Sequence, residues 1–191
     1  MGDPRALLSE LLSGDETRAE AAAAGLAALG ESARTLLLDA APAADADGRW
    51  WIVRALAELP CARTEDLVPF LEDPAPEVRQ AAALGLGARP SESAVPALVR
   101  ALRDGDSMVA ALAANALGKA GQASTPSLLE TLACAPQSAR ILAMRTLSEL
   151  KDQRAIPAML KALDEDSALI QHWAREGLER LGLDMIFMKP N

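Results

Sequence analysis

The 191-residue sequence predicts an all-α fold, a solenoid of about six stacked helical hairpins. Three observations predict it. Alanine and leucine make up roughly two-fifths of the chain, and both lose little on entering a helix. Aromatic residues are only 3% of the chain, with no Tyr, two Phe and three Trp, so the residues that strands favour are scarce. A small residue followed by leucine recurs at Gly25-Leu26, Ala55-Leu56, Gly85-Leu86, Ala116-Leu117, Thr146-Leu147 and Gly177-Leu178, with the leucines 30, 30, 31, 30 and 31 residues apart. A fixed period of that length is the signature of hairpins that bury their apolar faces on one another.

Around each anchor leucine the second helix of a repeat can be read. Four positions earlier stand Ala22, Ile52, Ala82, Ala113, Ala143 and Ala174. Small and apolar residues at −8, −5, −4, −1, 0 and +3 trace one stripe of an α-helix. The first helix of each repeat carries Leu7-Leu8, Leu37-Leu38, Leu67-Val68, Leu98-Val99, Leu128-Leu129 and Met159-Leu160, with Leu11, Leu71, Leu102, Leu132 and Leu163 following on the same face. Pro96, Pro126 and Pro157 share one position near its start, where a missing N–H costs little. Asp-rich or turn-prone stretches such as Ser13-Gly14-Asp15, Asp73-Pro74-Ala75-Pro76, Asp104-Gly105-Asp106 and Asp164-Glu165-Asp166 separate the two helices and offer N-caps for the second. Gly30, Pro60, Pro90, Gly121 and Gly182 end the repeats. The expected organisation is one solenoid over 1–182, with repeats near 4–30, 31–60, 61–91, 92–121, 122–152 and 153–182. The apolar tail 183–191, with Met185, Ile186, Phe187 and Met188, is expected to cap the last repeat.

Charge and cysteine usage narrow the function. A net charge of −8 argues against nucleic-acid binding and against anionic membranes. No apolar run approaches the ~20 residues of a membrane span, and Met1-Gly2-Asp3-Pro4-Arg5 lacks the order of a signal peptide. Cys61 and Cys134 form no CxxC pair, which fits a reducing cytoplasm. With His172 as the single histidine, neither a metal cluster nor a Ser-His-Asp triad can be assembled. No catalytic residue, cofactor or metal is expected.

The segment Val95-Pro96-Ala97-Leu98-Val99-Arg100-Ala101-Leu102, and that from Asp73 through Val78-Arg79-Gln80-Ala81-Ala82-Ala83-Leu84-Gly85-Leu86-Gly87, resemble HEAT-like repeats. They are similar in particular to the short alanine-rich bacterial type named after phycobilisome lyases. The resemblance covers nearly the whole chain and is weakest in the second repeat, which has Gly48 where Val is usual and Trp50-Trp51 in its second helix. It implies a right-handed superhelix with the second helices lining a concave face. It also implies an Asp–Arg ladder, matched here by Asp73 and Arg79 and broken where Ala110 replaces the Arg. Of the catalytic relatives, the di-iron hydroxylases need several His-Glu pairs, and the lyase-isomerases with a His-Cys motif need a histidine beside a cysteine. This chain has neither. The DNA glycosylases of the class use a basic concave face, against which the charge of −8 argues.

On such a face the positions −6, −3, −2 and +1 point away from the core. They bring together Trp50, Val53, Arg54, Leu84, Asn115, Ile141, Met144, Arg145, His172 and Arg175 as the expected partner-binding residues. Trp, Met and Arg are the types enriched at interface cores, and Arg54, Arg145 and Arg175 suit acidic groups on a partner. Trp51 and Trp173, at −5, are expected in the core. The expected function is non-catalytic protein–protein interaction, as an adaptor or scaffold. The alternative is a bilin lyase-type or chaperone-like protein that holds a chromophore or client in the groove.

Overall fold

A computed structural model describes residues 3–165 and 167–183. The expected apolar cap lies, from residue 184 onward, outside the described residues. Twelve α-helices occur among the described residues, and they pair in chain order into six hairpins. The chain divides into two compact units, Met1–Arg89 and Pro90–Asn191, with three hairpins in each.

In the N-terminal unit the hairpins are α1 (Pro4–Leu11) with α2 (Glu16–Ala27), α3 (Glu31–Ala40) with α4 (Ala46–Glu58), and α5 (Thr64–Leu67) with α6 (Pro76–Ala88). Asp15 and Asp45 cap α2 and α4, accepting from the backbone N–H of Arg18 at 3.0 Å and of Gly48 at 2.8 Å. α5 is a single turn that continues as a 3-10 stretch over Val68–Glu72. The cause is Pro69, which stands four residues further into the repeat than Pro96 does. It removes an N–H from the helix interior instead of from its first turn.

The C-terminal unit contains α7 (Val95–Ala101) with α8 (Ser107–Lys119), α9 (Thr125–Cys134) with α10 (Gln137–Leu150), and α11 (Ile156–Glu165) with α12 (Ala168–Arg180). Each first helix here is preceded by a short 3-10 turn, and Pro96, Pro126 and Pro157 sit at the helix starts, where the sequence places them. Asp106 caps α8 through the N–H groups of Met108 and Val109, both at 2.9 Å, and Ser167 caps α12. The repeat ends at Gly30, Gly121 and Gly182 have φ of 56°, 71° and 79°, the left-handed region that glycine enters without steric cost.

The core runs along the repeats. Every anchor leucine is at most 1% exposed, and the six residues at −4 are all buried. Removing each such leucine from water contributes about 1.5–3 kcal/mol. Close approach is arranged by small residues meeting across repeats. A Cβ on Gly85 would lie 2.9 Å from the Cβ of Ala57, one repeat earlier, and a Cβ on Gly177 would lie 3.1 Å from the Cα of Ser148. In both cases the −1 residue of one repeat rests on the +1 residue of the repeat before it, and +1 is small in five repeats: Ala27, Ala57, Gly87, Gly118 and Ser148.

Of the ion pairs that join neighbouring repeats in the N-terminal unit, two involve a buried aspartate. Arg34 grips Asp66 with two hydrogen bonds of 2.6 Å, and Arg49 grips Asp73 at 2.7 and 2.9 Å. Both aspartates are buried, 6% and 9% exposed. The hydrogen bonds from Arg34 hold the Asp66 carboxyl below the usual range. Burial pushes Asp73 up, but its bonds from Arg49 and the Ala75 N–H outweigh that, and the net shift is down. Asp73 therefore serves the ladder and does not cap α6, whose N-cap is Ala75. Its side-chain partner is Arg49, the residue one repeat before Arg79, while Arg79 donates to the Asp73 carbonyl at 2.8 Å.

Candidate partner-binding face

The second helices place their exposed stripe differently from the simple wheel. Position −3 is buried in the first five repeats: Ala23, Val53, Ala83, Ala114 and Met144 are at most 4% exposed. Val53 (0%) and Met144 (1%) are therefore core residues and not partner-binding ones, and Ser148 at +1 is buried with them. The reason is that an inner second helix is flanked on both sides. α4 touches α2 and α6 as well as α3, and α10 touches α8 and α12 as well as α9. Its buried arc is wider than that of a helix lying on one partner. In the last repeat the −3 position is Arg175, and it is exposed.

The stripe left to solvent runs through −9, −6 and −2. It carries Trp50, Arg54 and Leu84 in the N-terminal unit and Asn115, Ile141, Arg145 and His172 in the C-terminal unit. Leu84 is 61% exposed, and Trp50, Arg54, Ile141 and Arg145 are half-buried. The tryptophans at −5 differ, Trp51 being 5% exposed and Trp173 half-buried.

The arginines expected to meet an acidic partner are engaged within the chain. Arg54 bonds Glu20 at 2.9 Å and lies 3.7 Å from Glu58. Its guanidinium carbon sits 5.5 Å and 5.3 Å from the ring centres of Trp50 and Trp51, a cation–π arrangement. Arg145 donates to the Asn115 carbonyl oxygen at 3.0 Å, and Arg175 to that of Gln171 at 3.4 Å. His172 packs beside Trp173 with ring centres 5.0 Å apart.

A feature that the wheel misses lies in the N-terminal unit. Gly14, Glu16, Ala46, Asp47, Trp50, Trp51 and Glu77 line a pocket of about 470 Å³. The two indoles meet edge to face, ring centres 4.8 Å apart and planes at 87°. The acidic residues stand in the first turns of α2, α4 and α6. A signal for it exists in the sequence: the residue nine before the anchor is Asp47 and then Glu77 in successive repeats, with Glu16 one place off that position in the first. Among the described residues, no three His, Cys, Asp or Glu side chains are grouped to hold a metal ion, and no helix is long and apolar enough to cross a membrane.

Two family models match the sequence: HEAT repeats over residues 64–136 and the PBS lyase HEAT-like repeat over 139–165. The chain belongs to the HEAT-repeat proteins. No curated protein matches it. Among solved structures, the HEAT-repeat chain is similar to the complex of CpcE and CpcF of phycocyanin lyase from Nostoc sp. PCC7120, at 22% identity and a TM-score of 0.53, over 95% of this chain and 78% of that one. It is also similar to YibA of E. coli, at 20% identity and a TM-score of 0.57, over 99% and 77% of the two chains. A designed armadillo repeat protein in complex with the peptide (KR)4 matches at 19% identity and a TM-score of 0.50, over 93% and 98%. These likenesses establish the shared fold, an α-solenoid of HEAT-like hairpins.

Proposed function

We propose that the HEAT-repeat chain is a non-catalytic adaptor that docks a segment of a partner protein on the exposed stripe of its second helices. The observation that carries this reading is Leu84, a large apolar side chain left 61% exposed in a column where a polar residue would cost nothing. Half-buried Trp50, on the exposed stripe of the same unit, supports it, since large apolar and aromatic side chains are what interface cores use. Two proteins of similar fold are described in complexes, one with a peptide and one with a second protein. The unpaired cysteines, half-buried Cys61 and exposed Cys134, support a cytoplasmic setting, where thiols stay reduced.

The test is quantitative affinity capture from the native cell, with wild-type protein beside Leu84→Ser and Trp50→Ala variants whose helicity is verified by circular dichroism. The protein retained by wild type is expected to fall at least tenfold with either variant. Equal retention by all three would remove the second-helix stripe as the docking face.

A further inference from the structure

We infer that the pocket between the first turns of α2, α4 and α6 accepts a cationic side chain, an arginine or lysine, from a basic segment of a partner protein. The inference rests on the docking reading above and names the chemistry of its occupant. The N-terminal unit holds fifteen Asp and Glu against eight Arg, a net charge of −7, while the C-terminal unit has twelve against eleven, a net of −1. Nearly all of the chain's excess negative charge thus belongs to the unit with the pocket.

Within that unit the other acidic groups that face arginines are neutralised. Glu10 pairs with Arg18, Glu20 with Arg54, Glu31 with Arg34 and Arg63, Asp66 with Arg34, and Asp73 with Arg49. Glu16, Asp47 and Glu77 around the pocket are exposed, and none has an ion-pair or hydrogen-bond partner among the described side chains. First-turn carboxylates do offset the positive end of a helix dipole, but that end is worth only about +0.5 charge per helix. Three full negative charges against three such ends leave the pocket at about −1.5.

The pocket's inner wall adds a second kind of attraction. The faces of an edge-to-face tryptophan pair favour cations, and this pair already holds one guanidinium, that of Arg54, outside the pocket lining. Among the described residues, no basic side chain lines the pocket. Its volume of about 470 Å³ has room for a long side chain with its flanking backbone. Carboxylates at the rim and indoles within match a side chain with an aliphatic stem and a planar or compact cationic head.

The experiment uses calorimetric titration of the full chain with an octapeptide of alternating Arg and Ser, beside the same peptide with citrulline replacing Arg, which keeps the shape and removes the charge. The Arg peptide is expected to bind at least tenfold more tightly than the citrulline peptide. Asp47→Asn with Glu77→Gln is expected to weaken it at least tenfold, and Trp50→Leu, which leaves the charge intact, at least threefold. A control of equal charge change, Glu92→Gln with Glu130→Gln, is expected to stay within twofold. Equal binding of the two peptides, equal weakening by pocket and control variants, or no binding of the Arg peptide would each overturn the inference. Failure here, with capture of the native partner still lost in Leu84→Ser, leaves the docking reading standing with another occupant. Peptide binding that obeys the pocket variants, with capture unaffected by Leu84→Ser, retains the pocket and removes the docking reading.

Discussion

The two units have the same interior and different exteriors. Leu26, Leu56 and Leu86 in one, and Leu117, Leu147 and Leu178 in the other, are equally buried, and the residues at −4 follow suit. At −9, on the outer stripe, the N-terminal unit carries Thr17, Asp47 and Glu77, while the C-terminal unit carries Met108, Ser138 and Leu169, all exposed. Packing density fixes the first set, because a repeat that fails to fit its neighbour loses contacts on both sides. The second set touches little, and surface changes there cost no more than about 0.5 kcal/mol. Charge and apolarity can therefore diverge at such positions without loss of packing.

The equivalence of the interiors can be broken most directly at the anchors. Leu56→Ala and Leu117→Ala should each cost about 2–5 kcal/mol in urea denaturation, the range for emptying a buried leucine site. A loss below about 1 kcal/mol in either would mean that the two units do not share one packing rule.

A smaller effect separates the way neighbouring repeats are tied. Arg34→Ala leaves the Asp66 carboxylate buried without its arginine. The loss should lower stability in urea denaturation, by less than emptying a leucine site does, because the arginine end of the pair is partly exposed. The same groups give a pH signature. Asp66, Asp73 and Asp152 all titrate below their ordinary value, Asp152 at about 2, chiefly through hydrogen bonds from Arg154. A carboxylate with a lowered folded pKa contributes stability that is complete above about pH 4 and lost as the pH falls through the folded value. Stability should therefore decline from about pH 4 toward pH 2, and Asp66→Asn should flatten that decline in acid denaturation. An unchanged slope in this variant would show that the carboxylate is not depressed.

The smallest effect is one of sign. Gly118→Ala should stabilise by about 0.5–1 kcal/mol, because a helix-interior glycine gains from a Cβ, and the nearest atom it would meet is Thr146 Cγ2 at 3.7 Å. Gly85→Ala should destabilise instead, since its Cβ would meet Ala57 Cβ at 2.9 Å with no flexible side chain to yield. Thermal melts that move both variants the same way would contradict the −1 on +1 contact between repeats.

Much of the architecture is legible in the sequence. The anchor leucines recur in all six repeats, the −4 alanines in five and the prolines at the first-helix start in three, and averaging over copies removes the ambiguity of any one. What the wheel loses is the neighbour. Val53, Met144 and Ser148 look outward on an isolated helix and are buried because a second helix lies on each side. Reading the +1 column downward, where small residues persist until Glu179, would have exposed that second contact. The pocket was missed for a related reason. Glu16, Asp47 and Glu77 are 30 or more residues apart and each looks like an ordinary first-turn acid, so only their stacking gives the group a chemistry.

The ties between repeats also bear on how the chain reaches its native state. Those formed by Arg34, Arg49 and Arg54 span 32, 24 and 34 residues, and none needs a more distant part of the chain. Loop-closure entropy grows only slowly with length, and low contact order goes with rapid folding. Within a unit, any adjacent pair of hairpins can then act as a nucleus, and growth can proceed from it to the next. Synthesis on the ribosome suits such a design, because each newly emerged hairpin finds its template already folded beside it.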